Sequence, residues 1–439
     1  MRTVKTACLA LCLTFAFLAN FASADEVSIS LSEAQKLAQE QNQGLKIAQD
    51  QYQTSQARVQ QSQAKNSPQI GLSLKPSTGI GPGSSLRAQF GLDFTKALPG
   101  SSALAVADKT NQLDRQIADR ALAEARRELM LQVETAYFNL LKAEQILVAR
   151  DENLKRSELQ LKTSQLQEKA GTGTKLDVMQ MQVALSESKQ SHLEAQNSVR
   201  KTSAALAILL GLPSDAEIKV SKPELKIQIP SLDEALTLLN NRSEVLDQQA
   251  AIEKAQLAVG EAERQKEMEL SFFGSLSQEK GDLTLNLSRQ NVGANLSLDP
   301  LQETNVSSGW QVGVQASWDL VDGGVKDAAI AETQFQLSGE KGRLTQLMTQ
   351  LEQEIRALYW DLEALQARVK TAEDNLSTSK EAWNAAKMKF EYGSGSASEV
   401  VDFEVALTEA ETGLINANFD YLLQQRQLLF NLCLEEETL

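Results

Sequence analysis

Apolar and polar residues alternate through the stretch Leu86-Arg87-Ala88-Gln89-Phe90-Gly91-Leu92-Asp93-Phe94, in which every even-numbered position is apolar. Residues 310–320 repeat this alternation, with apolar side chains at every even position from Trp310 to Leu320. Side chains of a β-strand point alternately to its two faces, so each stretch predicts a strand with one apolar and one polar face. About nine to eleven such residues suit a strand that crosses an outer membrane. A soluble, half-buried hairpin is the alternative interpretation of the same pattern.

Each of these strands has a weaker partner upstream in the sequence. Residues 70–74 precede a turn rich in Gly, Pro and Ser, and residues 270–276 precede the second strand. We therefore expect four strands, at about residues 68–75, 86–95, 269–277 and 310–320, with a longer outer loop at 278–309. Alternation also occurs inside that loop, at Leu283, Leu285 and Leu287, so the second hairpin extends further outward or carries a longer external loop.

Long helices are predicted on both sides of the strands. Residues 101–170 contain neither proline nor glycine, and their apolar residues recur near heptad spacing among charged and amide side chains. A helix of this length would extend roughly 105 Å at about 1.5 Å per residue. Further helices are predicted at residues 175–210, 325–392 and 397–432. The heptad pattern suits antiparallel coiled coils, and fibrous rods share it.

The chain contains this plan twice. A shift of 222 positions aligns Gly171-Thr172-Gly173-Thr174 with Gly393-Ser394-Gly395-Ser396, and a shift of 201 aligns residues 30–34 with 231–235. Such a long period indicates duplication of a whole structural half. The expected organisation is a first helix–β-hairpin–helix repeat at 25–211, a linker at 212–230 and a second repeat at 231–439.

Residues 1–24 are expected to form a signal peptide. Arg2 and Lys5 precede an apolar stretch at 7–21, and Ala22-Ser23-Ala24 fits the small-x-small pattern that signal peptidase cuts. The formal net charge is −15 for the whole sequence. A nucleic-acid partner is disfavoured, because binding phosphate requires a cationic face.

Catalytic and metal sites are not predicted. His192 is the only histidine, and Cys433 is the only cysteine outside the expected signal peptide, so no zinc, haem or iron–sulfur spacing exists. Nucleophile motifs and phosphate-binding glycine loops are also absent from the sequence. We therefore expect no enzyme activity and no cofactor.

Four strands cannot close a barrel, and an open sheet in lipid leaves backbone groups unpaired at its edges. Oligomerisation is therefore expected. Three copies would supply twelve strands, an even number that is wide enough for an aqueous lumen.

These features resemble the TolC-like outer-membrane efflux proteins, the exit ducts of tripartite drug pumps and type I secretion systems. The resemblance covers essentially the whole chain after the signal peptide. It rests on the duplicated plan, on Tyr137-Phe138-Asn139-Leu140-Leu141, on Trp318-Asp319-Leu320-Val321-Asp322-Gly323-Gly324, and on the helix-turn segments at 171–177 and 393–402.

The resemblance implies a mainly α protein with a membrane β-barrel. It implies a homotrimer with four strands per chain, a twelve-stranded barrel in the lipid of the outer membrane, and a long periplasmic α-helical coiled-coil tunnel. Residues 212–230 would lie in its equatorial region. The implied function is export of small molecules or polypeptides, received from a periplasmic adaptor and an inner-membrane pump; the sequence does not indicate the cargo.

A periplasmic gate is also implied. Family members narrow the tunnel with rings of acidic side chains, and Glu399 and Asp402 match the ring positions, with Asp177 as the corresponding acid of the first repeat. Such rings attract cations; alternatively, these acids complement helix N-termini after the glycine turns. Phe390 and Gly395 stand where the best-known member has a tyrosine and a latching arginine. The resemblance therefore does not extend to a hydrogen-bonded latch at these two positions.

Adaptor docking is implied at the two glycine turns. In the family such turns dock the helical hairpins of the adaptor, and here they are Gly171, Thr172, Gly173, Thr174, Gly393, Ser394, Gly395 and Ser396. Simple helix reversal would require the same residue types. The alternative functions are a periplasmic coiled-coil adaptor and a structural envelope protein without channel activity. An adaptor would carry one helical hairpin and β-rich soluble domains, which a whole-chain duplication does not fit.

Overall fold

The computed structural model describes residues 27–65, 67–78, 86–98, 102–213, 215–223, 227–278, 281–288, 291–298, 308–318 and 321–434. The expected signal peptide, 1–24, lies outside these ranges. The chain divides into two compact units. The described residues of Met1–Leu45, Ala125–Leu236 and Glu354–Leu439 form one, here called the helical unit. Those of Lys46–Glu124 and Thr237–Gln353 form the other, here called the sheet unit.

The helices and strands follow the predicted order, with additional short elements. In chain order they are β1 (Val27–Ile29), α1 (Leu31–Gln41), α2 (Gln43–Lys65), β2 (Gln69–Thr78), β3 (Leu86–Ala97), α3 (Ser102–Ala170), α4 (Lys175–Leu209), β4 (Ile218–Val220), α5 (Leu232–Leu238), a 3-10 helix (Leu239–Asn241), α6 (Ser243–Arg264), β5 (Glu269–Gln278), β6 (Gly281–Ser288), β7 (Asn291–Leu298), β8 (Gly309–Ser317), α7 (Val325–Glu391) and α8 (Ala397–Asn431).

Apolar residues at heptad-like spacing form the core of the helical unit. On α3, Leu129, Val133, Tyr137 and Leu140 are all buried, at intervals of four, four and three residues. These intervals place the four side chains on one face of the helix. Buried residues of the other long helices include Leu206, Ile355 and Leu428. Burying one such side chain contributes about 1.5–3 kcal/mol, so the packing of this face stabilises the long helices.

A short parallel β-pair, which the sequence did not predict, lies in the helical unit. Strand β1 pairs with β4, which belongs to the linker, in the register Ile29 to Val220. Ser203 on α4 donates a hydrogen bond to the Ala216 carbonyl at 3.2 Å and accepts one from the Ile218 amide at 3.2 Å. The linker at 212–230 is therefore held by hydrogen bonds through part of its length.

The duplication extends to helix capping. Ser30 caps α1 by accepting a hydrogen bond from the Glu33 amide, and the Glu33 carboxylate accepts one from the Ser30 amide at 2.9 Å. In the second repeat, Ser231 and Glu234 make the same pair of bonds before α5. Hydrogen bonds from the serine amide and hydroxyl lower the pKa of both glutamates. This reciprocal capping fixes where both helices begin.

The sheet unit contains a six-stranded antiparallel sheet with the strand order β2-β3-β7-β6-β5-β8. This corrects the expectation of four strands per chain. The additional strands β6 and β7 occupy half of the residues expected to form an outer loop at 278–309. The alternation noted at Leu283, Leu285 and Leu287 continues through Val292, Ala294, Leu296 and Leu298, so both segments have the pattern of a strand.

Helices of the sheet unit are joined by charged and polar side chains. Arg120 on α3 forms an ion pair with Asp247 on α6 at 2.7 Å, and Lys109 pairs with Glu253 at 3.0 Å. Most of these side chains are partly exposed, so each pair contributes about 0–1 kcal/mol. Within the described part of the chain, no helix is both long enough and apolar enough to cross a membrane.

Candidate functional site

Two turns of the helical unit, which the sequence singled out, have the same backbone geometry. The α3–α4 turn comprises residues 171–174, and the α7–α8 turn comprises residues 393–396. Their first glycines have φ of +76° at Gly171 and +74° at Gly393. The Gln167 carbonyl accepts two amides of the first turn at 2.9 and 3.1 Å, and the Lys389 carbonyl accepts two amides of the second at 2.8 and 3.0 Å. The repeat thus extends to individual hydrogen bonds.

The second glycine of the α7–α8 turn is required by close backbone packing. A Cβ atom at Gly395 would lie 2.9 Å from the Lys389 Cβ and 3.0 Å from the Phe390 amide nitrogen. Gly395, the position for which the resemblance implied a latching arginine, therefore has no room for a side chain. An ion pair instead spans the turn, with Lys389 Nζ 3.4 Å from Glu399 Oε1. Both partners are well exposed, so the pair is weak.

The acids expected at the gate are positioned as residues of two helix N-termini. Asp177 accepts hydrogen bonds from the Thr174 amide at 2.9 Å and the Thr174 hydroxyl at 2.6 Å, which completes a capping box. The Glu399 amide donates to Ser396 Oγ at 3.2 Å. Asp402 lies one turn further along α8 and is exposed. The Asp177 carboxylate therefore caps the N-terminus of α4. The carboxylates of Glu399 and Asp402 instead lie at the surface of the chain.

Phe390 is a packing residue of the helical unit. It is buried in a cluster with Met181, Ala386, Ala397 and Val400, which come from α4, α7 and α8. Aromatic burial of this kind holds the two turns on a common apolar base without a hydrogen-bonding group. The structure therefore brings three of the residues predicted for the gate, Phe390, Glu399 and Asp402, to adjoining parts of α7 and α8.

A buried polar stripe on α3, which the sequence analysis missed, lies among the same helices. Its members are Asn153, Ser157, Gln160 and Ser164, all buried. Intervals of four, three and four residues place them on one helix face, where a coiled coil ordinarily carries apolar residues. Polar residues at heptad spacing were the signal in the sequence that could have revealed this stripe.

Glu404 on α8 faces this stripe and is only 3% exposed. Asn153 donates hydrogen bonds to Glu404 Oε1 at 3.3 Å and to Thr408 Oγ1 at 2.9 Å. Ser157 donates to the same carboxylate at 3.4 Å, and its hydroxyl lies 2.8 Å from that of Ser188 on α4. Buried polar groups therefore link α3, α4 and α8.

Arg156 supplies the positive charge of this network. Its guanidinium donates two parallel hydrogen bonds to Glu411, at 2.9 and 3.2 Å, while its Nε lies 3.8 Å from Glu404 Oε1. The same guanidinium lies 5.8 Å from the centre of the Trp383 ring on α7, and Lys387 Nζ lies 5.3 Å from that ring. Cation–π contacts thus connect α7 to the network.

Burial raises the pKa of Glu404 to about 7, against the opposing effects of Arg156 and of the hydrogen bond from Ser157. A carboxyl in a low-dielectric site favours its neutral form because the charged form loses its hydration. Glu404 can therefore change its charge close to neutral pH. Because Glu404 lies between packed helices, a change in its charge would alter the stability of their packing.

Exposed apolar residues near both turns were also missed in the sequence. Leu176, Met179 and Val183 on α4 are exposed, and their spacing places them on one stripe. Tyr392, beside the α7–α8 turn, is 85% exposed. Such a stripe within one chain suits packing against a helix of another chain. Among the residues that the structure describes, no cluster of His, Cys, Asp and Glu could hold a metal ion.

Comparisons with known proteins agree with the fold. CusC is similar in structure, with a TM-score of 0.76 at 16% identity over 93% of this chain and 92% of that chain. VceC from Vibrio cholerae gives 0.74 at 17% identity over 92% and 95%. MtrE from Neisseria gonorrhoeae, in its open state, gives 0.70 at 16% identity over 92% and 88%. A search of the curated proteins found no match.

A family model described as "Outer membrane efflux protein" matches residues 34–212 and 282–432. These ranges include most of both repeats and more than half of the sequence. The family inferred from the sequence is therefore confirmed, and the chain belongs to the outer membrane efflux protein family.

Proposed function

We propose that three copies of this chain form the export duct of a tripartite efflux or type I secretion system. In this proposal, the sheet units close a barrel in the outer membrane, and the helices form a tunnel that extends into the periplasm. The duct passes small molecules or polypeptides from an inner-membrane pump and its adaptor to the exterior. The family is one of transport proteins, and we propose no catalytic role.

The exposed apolar face of the sheet is the observation that carries this proposal. Its edge strands present Leu72, 81% exposed, and Trp310, 77% exposed. Contact of such an apolar face with lipid is favourable, whereas its contact with water is unfavourable. The outer edges of β2 and β8 pair with no other strand of the described sheet, and unpaired edges are costly in a bilayer. Pairing between copies of the chain removes both edges.

The gate is proposed at the α7–α8 turn. Glu399 and Asp402 would form acidic rings when three copies meet, and Asp177 would add a further acid from the α3–α4 turn. Like charges held close together attract cations and disfavour anions. Phe390 would support the rings by packing beneath them, as its burial beside Val400 suggests. The Lys389–Glu399 ion pair would have to rearrange when the gate opens.

Single-channel conductance tests the duct and the gate together. The Glu399→Ala/Asp402→Ala variant is compared with the parent in a planar bilayer. We expect cation-selective pores whose conductance rises, and whose block by divalent cations weakens, in the variant. The control is Glu40→Ala/Asp50→Ala, which removes two exposed acids of α1 and α2 and should leave divalent block unchanged.

Two results would count against these assignments. Pores that are identical in parent and variant would keep the duct and remove the gate assignment. No pores from either protein, when both are trimeric and inserted in the membrane, would contradict the duct itself. Extraction separates the alternative functions, because an adaptor or a structural envelope protein without a membrane barrel is expected to leave the membrane in high salt.

Docking of a periplasmic adaptor is proposed at the two turns. The eight turn residues are small or polar, and the exposed stripe of Leu176, Met179 and Val183 lies beside them. Together they offer a surface onto which a helical hairpin could pack closely. A photoreactive residue at Thr172 should crosslink in cells to a protein with a long helical hairpin, and one at Glu40 should not. Crosslinks only between copies of this chain would assign the surface to the trimer instead.

A further inference from the structure

The β6–β7 hairpin continues the two faces of the sheet without interruption. One row of paired residues crosses all six strands and is apolar throughout: Leu72, Leu92, Leu296, Leu283, Leu276 and Trp310. The next row on this face is Ile70, Phe94, Ala294, Leu285, Gly274 and Val312. The hairpin residues in these rows are apolar at each position.

The row between these two has the opposite character. It consists of Gly71, Asp93, Asn295, Thr284, Ser275 and Gln311, which lie on the other face of the sheet. The side-chain amide of Asn295 on β7 donates a hydrogen bond to the carboxylate of Asp93 on β3. Phe273 is an apolar residue on this face, and its ring occupies the space beside Gly313 that a Cβ would fill. A shift of one residue in the hairpin would reverse both faces, so its register matches that of its neighbours.

The position of the hairpin within the sheet is also decisive. β7 pairs with β3 from Phe90–Leu298 to Ala97–Asn291, and β6 pairs with β5 from Ser271–Ser288 to Gln278–Gly281. Each inserted strand is thus paired on both sides at every residue except the one beside the β6–β7 turn. A loop that projected into the external medium would not separate β3 from β5. The hairpin instead occupies the same band of the sheet as the strands that flank it.

Resting on the proposed function, we propose that each chain contributes six membrane strands, so that the trimer closes an eighteen-stranded barrel. Neighbouring strands in the sheet are antiparallel, so β2 and β8 at its two edges run in opposite directions. The β2 edge of one copy can therefore pair antiparallel with the β8 edge of the next, and the closed barrel has an even number of strands. The partner at each edge is a second copy of this chain.

A wider lumen follows from the larger strand number. Barrel diameter grows roughly linearly with strand number, so eighteen strands give a lumen about 1.5 times as wide as twelve. The polar row lines it with amide and hydroxyl side chains, together with Asp93. The barrel would then admit larger cargo than a four-strand chain allows, and cargo size would be limited elsewhere in the duct.

Spin labels at neighbouring positions test the added strands. The full chain with Cys433→Ser receives one cysteine at a time, at Leu283 or Thr284 on β6, and the trimer is reconstituted into phospholipid vesicles. The matched controls are Leu276→Cys and Ser275→Cys on β5, which pair directly with those two residues. We expect labels at 276 and 283 to be reached by oxygen dissolved in lipid, and labels at 275 and 284 by a water-soluble nickel chelate.

The other outcomes separate this inference from the proposed function. One outcome is that labels at 275 and 276 differ in their access to oxygen and nickel chelate, while labels at 283 and 284 are reached equally by the nickel chelate. This result would overturn the two added membrane strands and leave the proposed duct intact. Loss of alternation at all four positions would overturn the membrane barrel as well.

A deletion provides an independent measurement. β3 and β5 run antiparallel, so removing residues 280–299 and joining the ends would let them pair directly. The deleted trimer should close twelve strands and exclude, from its external side, neutral polymers that enter the parent. An unchanged polymer size limit in a trimeric, membrane-inserted deletion variant would overturn the proposal. The spin-label measurement decides the matter if this variant does not fold.

Discussion

Tyr137 and Tyr359, which are 222 positions apart, make the same hydrogen bond in the two repeats of the chain. Tyr137 on α3 donates its hydroxyl to the Ser221 carbonyl at 2.6 Å, with the Ile29 carbonyl at 3.0 Å as a second acceptor. Tyr359 on α7 donates its hydroxyl to the Pro230 carbonyl at 2.6 Å. Both acceptors at 2.6 Å belong to the linker at 212–230. Each repeat thus uses one tyrosine to hold the segment that joins the two repeats.

Removing the Tyr137 hydroxyl should destabilise the protein more than removing the Tyr359 hydroxyl. Tyr137 is 0% exposed and its bond to the Ile29 carbonyl is buried, so Tyr137→Phe removes a donor from a site that water does not readily reach, at a cost of about 1–3 kcal/mol. Tyr359 is only partly buried, and water can replace its hydroxyl at a cost of about 0.5–1 kcal/mol. Thermal unfolding followed by circular dichroism measures both variants. Exposed Tyr392→Phe is the control, and equal effects at 137 and 392 would contradict this account.

The titration of Glu404 should make stability fall as pH rises through its pKa. The folded-state pKa of about 7 is above the ordinary value of 4.5, so the folded protein binds more protons than the unfolded chain between these values. Stability should decrease from about pH 5 to pH 7 and change little from this source above that. The size of the effect is on the order of 1–3 kcal/mol. Glu404→Gln has no titrating group at this position and should flatten the decrease.

Comparing the two proteins isolates the contribution of Glu404 from that of other acids. The difference in Tm between Glu404→Gln and the parent is measured at pH 5 and pH 8. This difference should shift in favour of the variant at the higher pH. Parallel pH profiles for the two proteins would show that Glu404 does not titrate in this range.

Arg156 should matter most when Glu404 is charged. Arg156→Met leaves Glu404 buried without its nearest cation and also removes the two hydrogen bonds to Glu411. Breaking a buried pair from one side costs about 3–5 kcal/mol, and the loss should be larger at pH 8 than at pH 5. The double variant Arg156→Met/Glu404→Gln should recover part of this loss. Strict additivity in denaturant titrations of the four proteins would rule out the coupling.

The two glycines of the α7–α8 turn should respond differently to substitution. Gly393 has a positive φ and open space around its Cβ position, so Gly393→Ala should cost about 1–2 kcal/mol, and Gly393→Asn should cost less because asparagine tolerates this backbone conformation. Gly395 is limited by its contacts with Lys389 and Phe390, so alanine and asparagine should be similarly destabilising there. Trimer melting temperatures compare the four variants. An asparagine advantage at 395 would contradict the steric explanation.

The spacing of apolar residues predicted the helices and strands of this fold, because that spacing depends only on residues that are close together in the chain. The long helices were found within a few residues of their predicted bounds. Proline is absent from all four, and the turn glycines mark the ends of α3 and α7, although Gly339, Gly342 and Gly413 lie inside α7 and α8. The two alternating stretches at 86–94 and 310–320 overlap β3 and β8 for the same reason. The alternation at Leu283, Leu285 and Leu287 was visible too. It did not decide between a loop and a strand, because that depends on pairing with β5 and β7.

The candidate site was predicted only in part. The turn glycines were found because a tight helix reversal restricts residue type at each position. The polar stripe of α3 was missed, since Asn153 and Ser157 have the composition of an exposed helix face. Their burial results from packing against Glu404 and Thr408, more than 240 residues later in the chain.

The sequence by itself determined the duplication, the helices, the alternating strands and the family, because each depends on residues close together in the chain or on a repeat of them. Only the tertiary structure decided that the sheet has six strands, that two tyrosines hold the linker, and that a carboxylate with a pKa near 7 is buried between helices. Strand pairing, buried hydrogen bonds and loss of hydration arise when distant segments pack together. The pattern of any single segment does not contain them.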